Sequence, residues 1–268
     1  MISVKHLKKY FPIKKGLLQR AQGYVKAVDD ISFSVAKQET LGLAGESGSG
    51  KTTTARLILN LLKADGGEIL FDGEDILRLD RNKIMGIRSK MQIIFQDPFS
   101  SLNPRMRIRE IIAEGITIHR HMTSKETDKS VDEVLEMVGL PSGYKSRYPH
   151  QFSGGERQRI GIARAIIVRP EFIVCDEPVS SLDVSIQAKI LNLLKDLKER
   201  LKLTYIFITH DLSVVATICE RVAVMHNGKI VEIGDTRTIF TNPREEYTRR
   251  LLRSIPIPDP SRRRHFNK

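Results

Sequence analysis

Cysteine is scarce in this chain of 268 residues, which contains two of them. Cys175 lies in an apolar run and Cys219 in an apolar helical pattern, so we predict that both are small core residues. Two isolated cysteines provide neither a zinc site nor an iron–sulfur cluster, each of which typically takes about four ligands. The low cysteine content also favours a reducing, cytosolic setting.

Long apolar runs are missing as well. No segment approaches the roughly 20 apolar residues that a membrane-spanning helix needs. Residues 1–6 mix charge into their apolar positions, and this composition argues against a signal peptide. The sequence has no internal repeat, so each motif described below occurs once. If the protein works at a membrane, we expect other chains to cross it.

Positive charge, by contrast, is in excess, because 44 basic and 32 acidic residues give a net charge of +12. Such a balance suits an anionic partner, whether a nucleotide, a nucleic acid or an acidic membrane face. With 40% hydrophobic and 28% charged residues, the composition is that of a globular protein. Charge alone is weak support for nucleic acid, and we expect no nucleic-acid partner.

The most specific motif is residues 45–52, which match the phosphate-loop pattern G-x-x-x-x-G-K-[ST] at every fixed position. Glycines let backbone N–H groups converge on phosphates, and the helix that follows adds its positive N-terminal end. The lysine of this pattern reaches the β- and γ-phosphates, and its final hydroxyl takes a Mg²⁺ position. The predicted ligands are therefore a nucleoside triphosphate and Mg²⁺. The residues predicted to bind the nucleotide are Gly45, Ser47, Gly48, Ser49, Gly50, Lys51, Thr52 and Thr53.

Two carboxylates end a later apolar strand, where Asp176 and Glu177 follow residues 172–175. We predict that Asp176 holds Mg²⁺ directly or through water, together with Thr52. Glu177 stands one residue further and is predicted to polarise the attacking water. Without the phosphate loop, two solvated acids at a strand exit would be the preferred interpretation.

Two further strand ends carry polar side chains, since His210 follows residues 204–209 and Gln96 follows residues 92–95. Parallel strands present functional residues at their C-terminal ends. We therefore predict that His210 contacts the γ-phosphate and orients the water, and that Gln96 touches the metal or its water. A capping or core histidine and a loop-fixing glutamine are the alternatives.

Strand and helix patterns alternate in the second half of the chain, which predicts a parallel sheet with crossover helices. Alternation at residues 31–35 predicts a β segment, and residues 108–138 and 154–168 predict helices, with a capping box at 123–126. Residues 11–25 lack a clear period and are predicted to be a loop or insertion. The predicted fold class is α/β: a P-loop NTPase core with a mostly parallel sheet, an N-terminal antiparallel β subdomain and an α-helical subdomain.

The ordered set of motifs resembles that of an ABC-transporter nucleotide-binding subunit over residues 1 to about 235. In order, the matching elements are Walker A at 45–52, a glutamine loop at Gln96, a signature at 152–156, Walker B ending at Asp176 with Glu177, a D-loop at 180–183 and a switch histidine, His210. The resemblance implies an ATPase that closes on ATP as a two-subunit sandwich. It gives the catalytic roles to Glu177, His210 and Gln96.

The resemblance also assigns a role to the glycine turn. Ser153, Gly154 and Gly155 would bind the γ-phosphate of ATP held by the opposite subunit, and Asp183 of the D-loop joins the nucleotide site. On its own, Ser153 would be an ordinary helix N-cap. The signature departs from the common Leu-Ser-Gly-Gly-Gln at two positions, and no ATP contact is assigned to the acid at Glu156.

In the same family an aromatic ring stacks on the adenine. Tyr10 aligns best with that position, and Tyr24 is the competitor because residues 11–25 blur the alignment. This alignment predicts that Tyr10→Ala weakens nucleotide binding more than Tyr24→Ala does.

A narrower resemblance links residues 95–105, 148–159 and 242–252 to the dipeptide/oligopeptide importer ATPases. It implies one of two ATPase subunits, as a homodimer or heterodimer, at the cytoplasmic face of the membrane. Two permease subunits and, indirectly, an extracytoplasmic solute-binding protein would be its partners. One subunit of that group often carries a four-cysteine C-terminal element, which is missing here, so the chain looks like the cluster-free subunit.

Three alternatives stay open at this point: import of nickel, import of another solute, and a non-transport role such as a phosphonate-utilisation accessory ATPase. The predicted division is one cassette at residues 1–240, with a helical subdomain at about 97–168. A C-terminal extension at 241–268 ends in a basic tail.

Overall fold

Two β-sheets carry the architecture of this computed structural model, which describes residues 1–15, 20–97, 101–119 and 122–254. The strands are β1 (Ile2–Lys15), β2 (Arg20–Val35), β3 (Thr40–Ala44), β4 (Gly66–Phe71), β5 (Glu74–Asp75), β6 (Met91–Ile94), β7 (Phe172–Asp176), β8 (Thr204–Thr209), β9 (Arg221–His226) and β10 (Lys229–Asp235). The helices are α1 (Lys51–Ile58), α2 (Arg81–Lys90), α3 (Ile108–His119), α4 (Ser124–Met137), α5 (Gly154–Ile166), α6 (Val184–Leu201), α7 (Leu212–Ile218), α8 (Thr236–Thr241) and α9 (Glu246–Arg253).

The first sheet is antiparallel and has the strand order β2-β1-β4-β5. Val4 in the central strand β1 faces Phe33 of β2 on one side and Ile69 of β4 on the other. All three side chains are buried, because residues that alternate along a strand point to one face of the sheet. The predicted N-terminal antiparallel β subdomain is confirmed.

Residues 11–25 do not form the predicted loop or insertion. The described part of this stretch extends β1 and β2 into an antiparallel ribbon in which Phe11 pairs with Val25 and Pro12 with Tyr24. Phe11 is 40% exposed and Val25 53% exposed. No described side chain from 11 to 25 belongs to a hydrophobic core, so burial imposes no alternation on this part of the sequence, and this explains the missing period. Residues 16–19 lie outside the described part of the chain.

The second sheet has the order β10-β9-β3-β8-β7-β6. Neighbours from β9 to β6 are parallel, and β10 is the antiparallel edge strand. Every residue of β3, β7 and β8 is buried, as expected for strands that are covered on both faces. Parallel strands end at one edge, so the segments after β3, β6, β7 and β8 meet there.

The predicted helices form α3, α4 and α5, which share a core that includes Ile112, Val131, Leu135 and Ile160. Thr123 caps α4 in a capping box with its third helical residue, as predicted. The exact limits of the helical subdomain and the boundary at residue 240 stay predictions.

The C-terminal part packs against the rest of the protein through α8 and α9, and Leu251 of α9 belongs to the main hydrophobic core. The predicted basic tail lies outside the described residues, which end at Ser254. Cys175 and Cys219 are buried free thiols, as predicted, and burial raises the pKa of both. Among the described helices, none has the length and apolar character needed to cross a membrane.

Candidate nucleotide site

The loop between β3 and α1 takes a shape that only glycine permits at several positions. Gly45, Gly48 and Gly50 have φ angles of 153°, 80° and 108°, in the region that L-residues rarely adopt. A Cβ on Gly50 would lie 2.1 Å from the carbonyl oxygen of Ala27, and one on Gly45 would lie 2.3 Å from that of Met225. The glycines therefore provide both the turn and the close approach of neighbouring strands.

This loop is held by the turn between β9 and β10. The N–H of Gly228 donates to the Ser49 carbonyl at 3.0 Å, and the Gly228 carbonyl accepts from the N–H of Asp29 at 2.8 Å. By sequence, the Asn-Gly pair at residues 227–228 is typical only of a hairpin turn. Their second role, bracing the phosphate loop, depends on a contact that sequence patterns do not report.

Lys51 folds back onto its own loop. Its Nζ donates to the carbonyls of Gly45 and Glu46, each at 2.7 Å, and to the Ser49 hydroxyl at 3.3 Å. Lys51 is 5% exposed. Burial lowers the pKa of Lys51, and the nearby Glu177, Asp176 and Glu46 carboxylates oppose that shift. The ammonium group therefore lies inside the loop, next to where the pattern places phosphates.

Asp176 and Thr52 present two side-chain oxygens close to Lys51 that could act as metal ligands. The Thr52 hydroxyl donates to Asp176 Oδ1 at 3.2 Å. Burial raises the pKa of Asp176, while the hydrogen bond from Thr52 lowers it. Within the described residues no group of three or more His, Cys, Asp or Glu could hold a metal. Two protein oxygens fit Mg²⁺, which usually takes one or two protein ligands together with phosphate oxygens.

Glu177 lies between the other two catalytic candidates. Gln96 Nε2 lies 2.9 Å from Glu177 Oε2, and His210 Nδ1 lies 3.1 Å from Glu177 Oε1. Glu177 has a φ of 47°, and its N–H donates to the Ile208 carbonyl at 3.0 Å. Successive residues of a regular strand point to opposite faces, so this left-handed turn lets Glu177 lie near Gln96 and His210 while the preceding Asp176 accepts from Thr52.

A cleft of about 960 Å³ joins these elements. Its lining includes most of the phosphate loop together with Gln96, Glu177 and His210, so the structure brings together three strand ends that the sequence placed far apart. It also includes residues 24–27, the 227–228 turn and, from the C-terminal helix region, Leu251 and Ser254. Among these additional lining residues, only Tyr24 was predicted as a site residue.

The two candidate aromatic residues occupy different places. Tyr24 lines the cleft and is 63% exposed. Tyr10 is not among the described lining residues; its hydroxyl donates to Asp29 Oδ1 at 2.6 Å, and Lys26 Nζ lies 5.4 Å from its ring centre. The hydrogen bond to Asp29 raises the pKa of Tyr10. Of the two tyrosines, Tyr24 is therefore the one that lies at the cleft among the described residues.

The signature turn stands apart from this cleft. Ser153 caps α5, and its hydroxyl donates to Glu156 Oε2 at 2.7 Å. The same hydrogen bond lowers the pKa of Glu156. The turn packs on the start of α6, where a Cβ on Gly155 would lie 2.7 Å from Ile186 and where Asp183 accepts from the Ile186 N–H at 3.0 Å. The signature and the D-loop thus share one face of the protein.

Comparison with known proteins agrees with this arrangement. The family model described as ABC transporter matches residues 28–180, more than half of the chain. The chain belongs to the ABC transporter family. A second model, the C-terminal region of oligopeptide/dipeptide transporters, matches residues 231–268 of this ABC ATPase.

Individual relatives place this ABC ATPase more narrowly. The oligopeptide transport ATP-binding protein OppF of Bacillus subtilis (strain 168) is 52% identical over 267 residues, covering 99% of this chain and 85% of that protein. AppF, another oligopeptide transport ATP-binding protein of that strain, is 51% identical over 258 residues, covering 96% and 78%. The predicted resemblance to the ATP-binding proteins of the oligopeptide/dipeptide group is confirmed.

A solved structure supports the fold. The dimeric, post-hydrolysis ATP-binding cassette MJ0796 with ADP and Pi superimposes with a TM-score of 0.78 at 29% identity, covering 88% of this chain and 99% of that one. The predicted α/β cassette and the predicted ATPase activity are therefore confirmed, and this ABC transporter protein hydrolyses ATP.

Proposed function

We propose that this ATPase is one of two nucleotide-binding subunits that close on ATP and power the import of oligopeptides. The main support for this proposal is that the two elements predicted to bind phosphate, the phosphate loop and residues 153–155, lie apart from each other. The phosphate loop lines the cleft with Glu177 and His210, whereas residues 153–155 are not among the residues that line it. A cassette with one copy of each element needs a second subunit to complete a site.

The cleft residues would act mainly by positioning and charge, as in other phosphoryl transfers. Lys51 leaves the carbonyls of its loop for the β- and γ-phosphates, and the loop N–H groups bind the same oxygens. Glu177 accepts the proton of the attacking water. His210 orients that water and the γ-phosphate, and Gln96 keeps the Glu177 carboxylate in place.

Mg²⁺ belongs to this proposal as a cofactor. Thr52 and Asp176 would hold it together with phosphate oxygens, and the side-chain oxygen of Gln96 is a third candidate ligand. When bound, the ion would neutralise phosphate charge. Burial raises the pKa of the Asp176 carboxyl, which disfavours its charged form, and a bound cation would stabilise that form.

A second subunit would provide the signature turn. Ser153, Gly154 and Gly155 begin α5, and a helix N-terminus favours anions. Leu182 and Ile186, on either side of Asp183, lie against Gly154 and Gly155, so a partner that covers the signature turn would also meet the D-loop. Either an identical or a related subunit would fit.

For the adenine platform we propose Tyr24, in place of Tyr10. Tyr24→Ala is expected to raise the dissociation constant of MgATP about 10-fold, since aromatic stacking on a base contributes roughly 1–3 kcal/mol. Tyr10→Ala removes a hydrogen bond to Asp29 and is expected to lower the free energy of unfolding by about 1 kcal/mol with little change in affinity. Calorimetric titration and thermal unfolding measure the two effects. The opposite order of affinities would return the platform to Tyr10.

Peptide import follows from the relatives, several of which are oligopeptide transport ATP-binding proteins. Two permease subunits would form the channel, and an extracytoplasmic binding protein would deliver the peptide to them. The ATPase would lie at the cytoplasmic face of the membrane as a peripheral subunit. Its closure on ATP would shift the permeases between two states through differential affinity.

Vesicles that contain the complete transporter test this function. With the binding protein present, a labelled oligopeptide is expected to accumulate when MgATP is supplied, and not when ADP replaces it. A nickel chelate run in parallel is expected not to accumulate. ATP-driven uptake of nickel without peptide would change the substrate, and ATP hydrolysis without uptake of either solute would contradict an importer of these substrates.

A further inference from the structure

The C-terminal helix α9 reaches the phosphate loop through one side chain. Tyr247 Oη accepts a hydrogen bond from the N–H of Glu46 at 3.2 Å, across 201 residues of sequence. Leu251, one turn further along α9, and Ser254 line the nucleotide cleft. The C-terminal helix α9 therefore contacts the site directly.

The peptide unit between Gly45 and Glu46 is held from both sides. Its carbonyl accepts from Lys51 Nζ at 2.7 Å, and its N–H donates to Tyr247. No described peptide bond is cis, and the C=O and N–H of a trans peptide point in opposite directions. The lysine and the tyrosine consequently fix one peptide plane between them.

Tyr247 is itself held by groups outside the phosphate loop. Its ring stacks on His226 at the end of β9, with ring centres 3.9 Å apart and planes at 29°. The guanidinium of Arg250 lies 5.3 Å from its ring centre. These contacts limit the rotation of the ring, so its hydroxyl is a fixed acceptor.

The segment that leads into α9 is anchored as well. Glu232 on β10 accepts from the backbone N–H groups of Arg244 and Glu245, at 2.8 Å and 3.2 Å. Glu232 is 9% exposed, and buried hydrogen bonds to a carboxylate are strong. The position of Tyr247 therefore depends on β9 and β10, and does not depend on Lys51.

We infer that Tyr247 is a positioning residue for Lys51, acting through the peptide between residues 45 and 46. This inference rests on the proposed movement of Lys51 to the phosphates. Glycine at a φ of 153° offers little resistance to rotation of this peptide, and Tyr247 restrains that rotation through the N–H of Glu46. The Gly45 carbonyl therefore stays aimed at Lys51 and keeps the ammonium group beside the phosphate position until the nucleotide draws it away.

Tyr247→Phe tests this role because it removes the hydroxyl and keeps the ring. The KM for MgATP of the assembled transporter is expected to rise about 3- to 10-fold, the range that one net hydrogen bond provides. The kcat is expected to stay within about twofold, since the reacting groups around Glu177 are untouched. Thr241→Ala is the matched control: it removes a hydroxyl that donates to the Arg237 carbonyl, and it is expected to change neither constant.

A double-mutant cycle separates positioning from packing. Lys51→Ala is expected to weaken MgATP binding strongly, and adding Tyr247→Phe to it is expected to cause no further loss. Two results would overturn the inference: an unchanged KM in Tyr247→Phe, or an equal loss of MgATP affinity from Tyr247→Phe in the wild-type and Lys51→Ala proteins. Neither result would contradict the proposed phosphate role of Lys51. Full binding by Lys51→Ala would instead refute the proposed phosphate role of Lys51.

Discussion

Glu177→Gln is expected to reduce ATP turnover by about 10²- to 10⁴-fold, the usual contribution of a general base. The amide has the shape of the carboxylate and keeps an oxygen for His210, but it cannot accept the proton of the attacking water. Because the phosphate loop is unchanged, MgATP is expected to bind normally. The unhydrolysed nucleotide would then accumulate between two subunits.

Two measurements check this result: steady-state phosphate release, and the oligomeric state of the purified variant in MgATP by light scattering. Glu171→Gln is the matched control. Glu171 directly precedes the first residue of β7, at the end of the strand opposite to Glu177, and forms an ion pair with Lys90 at 3.2 Å. Loss of the Glu171 charge is therefore expected to leave turnover unchanged. Undiminished hydrolysis in Glu177→Gln would remove the base role from this residue.

The second large effect concerns the signature turn. Ser153→Arg is expected to abolish hydrolysis and still allow MgATP to bind to the single subunit. A long cationic side chain at the start of α5 would block the close approach of a partner's phosphate loop. The variant also loses the helix cap, which costs about 1 kcal/mol, and this loss needs its own control.

Thr123→Arg provides that control because Thr123 caps α4 in the same kind of capping box, with Glu126. Both variants are expected to lower the melting temperature by a similar amount, while only Ser153→Arg stops hydrolysis. Phosphate release, calorimetric MgATP binding and thermal unfolding are measured on each. Normal hydrolysis in Ser153→Arg would contradict a site shared between subunits.

Much of the site was predictable because its chemistry depends on local backbone geometry. The phosphate loop requires glycine where φ is positive, and Gly45, Gly48 and Gly50 meet this requirement. Asp176 could be located because an apolar run identified the buried strand β7, and parallel strands end at the same edge of a sheet. The sequence did not show that Gln96 and His210 both contact Glu177, because this depends on the order of the three strands β6, β7 and β8.

The choice between Tyr10 and Tyr24 could not be predicted from local sequence patterns. Tyr10 and Tyr24 lie on neighbouring strands of a ribbon whose described side chains from 11 to 25 join no hydrophobic core, so no burial pattern tells which of them faces the cleft. In the structure Tyr10 bonds to Asp29 and Tyr24 lines the cleft. That choice depends on the register of β1 against β2.

By itself, the sequence determined the class of this protein: the phosphate loop, the two carboxylates at the end of β7 and the single signature turn all depend on short stretches whose geometry is local. Only the tertiary structure decided which distant groups meet these stretches. The structure shows that residues 153–155 lie apart from the cleft. It also brings Tyr247 into contact with Glu46, 201 residues away in the sequence. Such contacts arise from packing of whole elements, and no local period or propensity encodes them.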